Sequence, residues 1–374
     1  MRHAAPDISR RTLMLAAATA ALPGPGVAAP AASAGAAAPP AQPAPQPAPQ
    51  PAHWPPRAIP ARTLSVPETV SPDLQAVIAA PYPRGWNRVP QSAAAWRALA
   101  AASAASVAPL LLPIKSHLGV SVEPARIAGV NVFLVAPERL HAENRDRLLL
   151  HLHGGGYVLF PGEAGAGEAM LMAGYGGFRC VSVDYRMAPD FPFPAALDDA
   201  MAVWRALLAE HDARRMGIFG SSAGGGLALA LLLRARAEGL ALPAAIAPGT
   251  PWSDLTSAGD SIRANEYVDN VLVSYSGWVG AAASLYAAGH DLGDPLLSPI
   301  NGDFHGFPPA MLTTGTRDLF LSNTVRTHRK LRQAGVPAEL QVFEGQSHAQ
   351  FLTPFLPETE EAFGELARFF AHHL

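Results

Sequence analysis

The feature that most constrains the fold is a regular alternation of short apolar runs with helical stretches through the second half of the chain. The apolar runs are DRLLLHLHGGG, GFRCVSVDYR, RRMGIFG, LPAAIAPGTPW, PAMLTTGT and AELQVFEG. Between most of them lie segments with helical spacing, such as PAALDDAMAVWRALLAEH. This alternation predicts the α/β class, with a mostly parallel central sheet and helices on both faces. The carboxyl ends of parallel strands then share one edge, where a functional site would be assembled.

Two adjacent serines lie at one of these strand ends, in the stretch MGIFGSSAGGG. The motif Gly-x-Ser-x-Gly is typical of a nucleophilic serine on a sharp turn between a strand and a helix, where larger neighbours would collide. Ser222 has Gly220 and Gly224 in the required positions. Ser221 would need a glycine where Phe219 stands. The spacing therefore indicates Ser222, although the motif alone is a weak signal in a glycine-rich chain.

A second glycine motif, HGGGY, directly follows an earlier predicted strand. Acyl transfer develops negative charge on the carbonyl oxygen, and preorganised backbone N–H groups stabilise that charge. Glycines let the backbone approach the oxygen because they carry no Cβ. We assign Gly154 and Gly155, together with the amide of Ala223, to an oxyanion hole. The alternative is a glycine-rich connection or phosphate cradle, but the segment lacks the lysine and the serine or threonine of a P-loop.

A serine nucleophile needs a general base, and the base needs an acid that orients it. Asp318 follows the predicted strand PAMLTTGT, and His348 follows the next one, AELQVFEG, so both fit the chain order of serine, acid and histidine. Asp254 in PWSDL is the best competing acid, but it follows an earlier strand and would have to reach further. The rival histidines follow no strand and are expected at the surface: His290, His305, His328, His372 and His373.

From about Arg62 to its end, the chain resembles the hormone-sensitive lipase family of α/β-hydrolase esterases. The motifs that carry the resemblance are HGGGY, DYRMAPDFPFPAALDD, GSSAGG, PWSDL, DPLLSP, TGTRDLF and EGQSHAQF, all in the family's order. The resemblance implies an α/β-hydrolase fold and a serine carboxylesterase with the triad Ser222, His348 and Asp318. It also implies a helical cap over the pocket, from about residues 62–118 and 257–290, where NEYVDNVLVSYSGWVG is amphipathic rather than strand-like.

Two positions depart from the family's usual pattern. Ser221 stands where the residue before the nucleophile is usually Asp or Thr, and Asp190 stands where Glu is common. The Ser221 side chain could still hydrogen-bond locally, so we expect it to affect subgroup and substrate rather than catalysis. At Asp190 we expect a structural change only.

The leading hypothesis is an esterase that hydrolyses short- to medium-chain esters through an acyl-enzyme. One alternative is an amidase or peptidase of the same fold. The other is a binding protein built on the hydrolase scaffold, although such proteins usually lose a member of the triad and this chain has all three.

The N-terminal segment predicts export. The stretch SRRTLMLAAATAAL places Arg10 and Arg11 directly before an apolar segment too short to span a bilayer. Residues 1–38 therefore resemble a twin-arginine export signal, with a periplasmic or secreted destination. The alternative is an alanine-rich segment with an arginine pair by chance. Residues 39–61 are rich in Pro, Ala and Gln and should form an extended linker, which leaves 62–374 for the catalytic domain.

Composition narrows the classes of partner. The formal net charge is −3, from 27 Lys and Arg against 30 Asp and Glu, and no concentrated basic surface suits a nucleic acid. The single cysteine, Cys180, lies in an apolar run and leaves no intrachain disulfide. We expect a small-molecule ester as substrate, the twin-arginine machinery as partner, no metal or cofactor, and no stable membrane span in the mature protein. An unpaired sheet edge could also join copies of the chain into a homo-oligomer.

Overall fold

The structure, a computed structural model, describes residues 56–374 and builds them around one eight-stranded sheet. The strands are β1 (Val120–Ile127), β2 (Val130–Pro137), β3 (Leu148–Leu152), β4 (Arg179–Val183), β5 (Met216–Ser221), β6 (Ala245–Gly249), β7 (Ala310–Gly315) and β8 (Ala338–Phe343). Their order across the sheet is β1-β2-β4-β3-β5-β6-β7-β8. β2 pairs antiparallel with both β1 and β4, and all pairings from β4 to β8 are parallel. The prediction of a mostly parallel sheet is confirmed.

Helices cover both faces of this sheet, as predicted. They are α1 (Pro72–Ile78), α2 (Ala93–Leu118), α3 (Gly167–Gly176), α4 (Ala195–Glu210), α5 (Ala223–Ala237), α6 (Ser261–Ala264), α7 (Trp278–Ala287), α8 (Leu321–Gln333) and α9 (Pro357–His373). Successive strand residues point to opposite faces, so Leu148 and Leu150 join one apolar cluster while Leu149 joins the other. The first cluster packs against α4 and α5, and the second packs against α2, α3 and α9.

The part of the expected cap before residue 118 contains the short helix α1 and the long helix α2. Proline usually ends or kinks a helix, but α2 continues through Pro109 and Pro113 to Leu118. Proline costs a helix one hydrogen bond, and burial of the opposite helix face offsets that cost. The buried residues of α2 include Trp96, Val107, Leu110 and Ile114. Among residues 56–374, α2 is also the one helix whose length and hydropathy would suit a membrane span, a property that core helices share.

The segment predicted as an amphipathic part of the cap is only partly helical. Residues 257–290 contain α6 and α7, whereas turns and irregular backbone fill most of 265–277. Tyr267 and Val273 have φ values of 64°, in the left-handed region, which a right-handed helix excludes. Side-chain caps inside the segment, described below for Asp269, satisfy backbone groups that a helix would otherwise pair.

The N-terminal predictions fall largely outside the described residues. The proposed export signal at 1–38, with Arg10 and Arg11, and most of the linker at 39–61 are not described. Residues 56–65 are exposed and carry no regular secondary structure. Val66–Leu374 belong to one compact unit, and every residue of the candidate site lies within it.

Candidate active site

Ser222 lies at the turn between β5 and α5, where the glycine spacing predicted it. Its backbone has φ 58° and ψ −123°, a conformation that costs energy for any residue with a side chain. A Cβ at Gly220 or Gly224 would lie 2.0 Å or 1.9 Å from the carbonyl oxygen of Leu152, the last residue of β3. Because β3 leads directly into the HGGG loop (residues 153–156), these two glycines let Ser222 and the loop approach each other.

The HGGG loop contacts the nucleophile turn directly. A Cβ at Gly154 would lie 2.9 Å from the Ser221 carbonyl oxygen and 3.3 Å from the Ser222 Cβ. Gly155 has φ 104°, which favours glycine. Within residues 56–374, the N–H groups of Gly154, Gly155 and Ala223 donate no hydrogen bond to the protein. The loop therefore places unpaired amides beside Ser222, as an oxyanion hole requires.

His153 holds the HGGG loop in this orientation. Its Nδ1 lies 2.7 Å from the carbonyl oxygen of Gly154, so the Nδ1–H donates to that oxygen. Because a trans peptide is planar, this bond also directs the N–H of Gly155 to the opposite side. The His153 ring stacks on Tyr185 with 4.1 Å between ring centroids, and burial lowers the pKa of His153 to about 4. The imidazole is therefore neutral at neutral pH and acts as a fixed hydrogen-bond donor.

Asp318 and His348, predicted on consecutive strand ends, are in contact. The Asp318 carboxylate is fully buried and lies 3.0 Å from His348 Nδ1. It also accepts hydrogen bonds from the hydroxyls of Thr250 and Thr314 and from the N–H of Phe320. These bonds hold the carboxylate so that it accepts from Nδ1–H, which leaves Nε2 of His348 as the basic atom. Thr250 was not identified from the sequence, because nothing local indicates that its hydroxyl reaches Asp318.

Ser222 shares a cavity with His348 but does not bond to it. His348 Nε2 is buried and has no hydrogen-bond partner within the described chain, so the serine hydroxyl is not bonded to it. Both residues line the same cavity. Such catalytic hydrogen bonds are often long without substrate and tighten in the reacting complex. The structure thus brings Asp318 and His348 together and places Ser222 at the same cavity wall.

The competing candidates lie elsewhere. The Asp254 carboxylate is 2.7 Å from Arg326 Nη1 and also accepts the N–H of Thr256, so it is not the partner of His348. None of the rival histidines lines the cavity. Asp190 forms a two-pronged ion pair with Arg97 at the surface, consistent with the structural role expected for it.

Asp269 is a site residue that sequence reasoning missed. Its side chain is fully buried, and burial together with nearby Asp318 raises the pKa of Asp269. The carboxylate accepts backbone hydrogen bonds from the N–H groups of Val271, Leu272, Leu319 and His348. It therefore ties residues 265–274 to the loops that carry Asp318 and His348. The sequence offered no signal for this role, since Asp269 lies in no recognisable motif.

The cavity in front of Ser222 has a volume of about 960 Å³. Apolar side chains of α2 and α3 form one side of it, and the region around α7 forms another. The apolar residues that line the cavity include Val107, Ile114, Leu171, Trp252, Leu272 and Trp278. Pockets of this size and character suit small organic ligands. Among residues 56–374, no cluster of His, Cys, Asp and Glu could hold a metal ion.

Comparisons with known proteins agree with this geometry. The profile of a family with the α/β hydrolase fold matches residues 149–352. An acetyl-hydrolase of Streptomyces hygroscopicus is 32% identical over 223 residues, covering 59% of this chain and 74% of that protein. The solved structure of esterase E25 has a TM-score of 0.82 and 43% identity, covering 85% of this chain and 98% of that one. An esterase of the bacterial hormone-sensitive lipase family has a TM-score of 0.64 and 30% identity, covering 70% and 89%.

Proposed function

The chain belongs to the hormone-sensitive lipase family of α/β hydrolases and is a carboxylic ester hydrolase, and from this premise we propose a specific chemistry for it. We propose that it cleaves short- to medium-chain esters through an acyl-enzyme on Ser222. The observation that carries the proposal is the convergence of three features on one cavity wall. These are the strained Ser222, the unpartnered Nε2 of His348 and the unpaired amides of the HGGG loop.

Each group has one task in the proposed reaction. His348 Nε2 takes the proton of the Ser222 hydroxyl as its oxygen attacks the ester carbonyl, and Asp318 stabilises the imidazolium that forms. The amides of Gly154, Gly155 and Ala223 bind the oxyanion, and each such donor is commonly worth about 10²- to 10³-fold in rate. His348 then gives its proton to the leaving alcohol. A water molecule activated by the same nitrogen releases the acid and restores Ser222.

The acyl-chain range is tested with p-nitrophenyl esters from acetate to palmitate. We expect kcat/KM to be highest between acetate and octanoate and at least about tenfold lower for palmitate, the range that membership of this family implies. The acetyl-hydrolase among the similar proteins supports the short end of this range. The Ser222→Ala variant provides the background rate for each ester. Highest activity on palmitate would contradict the proposed range.

We further propose export through the twin-arginine pathway. The support is the Arg10–Arg11 pair before a short apolar segment, together with a fold that needs no disulfide and can form before transport. Replacing both arginines with lysine should retain active enzyme in the cytoplasm, measured as esterase activity in separated cell fractions. Arg57→Lys and Arg62→Lys, made together, are the matched control and should leave the distribution unchanged. Undiminished periplasmic activity in the Arg10/Arg11 variant would contradict export by this route.

A further inference from the structure

A polar network centred on Glu168 of α3 lies next to the nucleophile, and Glu168 and Ser221 both line the cavity. Its Oε1 is 2.7 Å from the hydroxyl oxygen of Ser221, and its Oε2 is 3.1 Å from the Ser221 backbone nitrogen. Oε2 also lies 3.2 Å from Nε2 of His151, a fully buried residue of β3 whose Nδ1 is 2.9 Å from the Ser182 hydroxyl. None of the roles assigned above uses this network.

The strand geometry explains why a carboxylate is needed at this point. Neighbouring N–H groups of a strand point to opposite sides, and that of Ser222 donates to Gly249 on β6. The N–H of Ser221 therefore points towards β3. The pairing of β3 with β5 ends at His151 opposite Phe219, where the chain turns into the HGGG loop. Glu168 accepts the N–H that β3 no longer pairs, and an unpaired buried N–H would be costly.

We propose that Glu168 is a positioning residue that fixes Ser221, and with it the backbone of Ser222, against β3 and the HGGG loop. This inference rests on the proposed role of Ser222 as the nucleophile. Glu168 contacts none of the reacting groups assigned above, and it acts through the residue adjacent to the nucleophile. Its contact with His151 ties the same carboxylate to the strand that leads into the HGGG loop. The Glu168 side chain thus contacts both the turn that carries Ser222 and the strand that leads into the HGGG loop.

The network also explains why position 221 does not carry an aspartate, one of the two residues usual there. Its hydroxyl donates to Glu168 in a site with little room, since a Cβ at Gly249 would lie 2.4 Å from that hydroxyl oxygen. An aspartate at 221 would place a second carboxylate against Glu168 in a buried environment, where two like charges repel strongly. Glu168 therefore requires a hydrogen-bond donor at 221, and Ser221 supplies it.

A double-mutant cycle tests this coupling. We expect Ser221→Asp to lower kcat for p-nitrophenyl butyrate by at least about tenfold, because repulsion from Glu168 displaces Ser222. Adding Glu168→Gln should restore most of the lost kcat, since a neutral amide can donate to the new carboxylate. Glu168→Gln alone should lower kcat about three- to tenfold for acetate, butyrate and octanoate alike, with KM changed less than twofold. The rate of inactivation by a fluorophosphonate should fall in parallel with kcat.

Glu163→Gln is the matched control, because Glu163 pairs with Lys115 nearer the surface and should leave kcat unchanged. Ser221→Ala, which keeps the backbone N–H donor, gives a milder variant if Ser221→Asp does not fold, and we expect it to lose about three- to tenfold in kcat. Wild-type kcat in Ser221→Asp, or no recovery in the double variant, would overturn the inference. A change in KM for the ester of only one acyl length, with kcat unchanged, would also overturn the inference. If wild type neither hydrolyses esters nor reacts at Ser222, the proposed function itself fails instead.

Discussion

Replacing Ser222 with alanine is expected to lower kcat for p-nitrophenyl butyrate by at least about 10⁴-fold, because the variant has no atom to form the acyl-enzyme. The remaining rate comes from binding and from the unpaired amides of the HGGG loop. Steady-state kinetics with purified protein measure the effect. Circular dichroism and a thermal melt should show a fold like that of wild type, since the hydroxyl makes no hydrogen bond that the fold depends on.

Ser221→Ala is the matched control for that experiment. It removes the adjacent hydroxyl, which bonds to Glu168, and should retain at least about a tenth of wild-type kcat. The pair of variants therefore separates the two serines of the motif. Ser222→Ala with activity within tenfold of wild type, in a folded protein, would contradict the assignment of Ser222 as nucleophile.

Replacing Asp318 with asparagine is expected to lower kcat about 10³- to 10⁴-fold with a much smaller change in KM. The carboxylate accepts from His348 Nδ1 and from the hydroxyls of Thr250 and Thr314. In asparagine an NH2 group replaces one carboxylate oxygen, so one of these hydrogen-bond donors would face another donor instead of an acceptor. The imidazole would then favour the tautomer with Nε2 protonated, which cannot take the proton of Ser222.

Asp254→Asn is the control for this second prediction, because Asp254 was the competing acid in the sequence. It loses an ion pair with Arg326, so we expect a lower melting temperature but a kcat within about tenfold of wild type. Equal losses of kcat in the two variants, or a larger loss in Asp254→Asn, would contradict the pairing of Asp318 with His348 as the functional one.

Local sequence predicted the parts of the site that depend on local geometry. The glycine spacing around Ser222 works because a Cβ at Gly220 or Gly224 would meet the backbone of β3. The positions of Asp318 and His348 followed from the alignment of parallel strand ends at one sheet edge. The strands from β3 to β7 were predictable because each is a near-continuous apolar run, as expected for strands buried on both faces.

Contacts between distant segments were not predictable in the same way. Glu168 and Ser221 are far apart in the sequence, and only the packing of α3 against the sheet brings them together. Asp269 caps an irregular segment whose amphipathic pattern resembled that of a helix. The continuity of α2 through Pro109 and Pro113 depends on the burial of one helix face, which outweighs the local preference of proline. In each instance a contact between distant segments determined the structure, and the local sequence pattern did not indicate it.

The most direct test of the account is to label the purified protein with a fluorophosphonate and map the adduct by peptide mass spectrometry. An activated serine beside an oxyanion hole reacts with this probe, whereas an ordinary serine does not. We predict one adduct, on Ser222, formed at the rate at which ester hydrolysis is lost. The adduct should be absent in Ser222→Ala and present in Ser221→Ala. An adduct on Ser221, or complete loss of activity with Ser222 unmodified, would contradict the account.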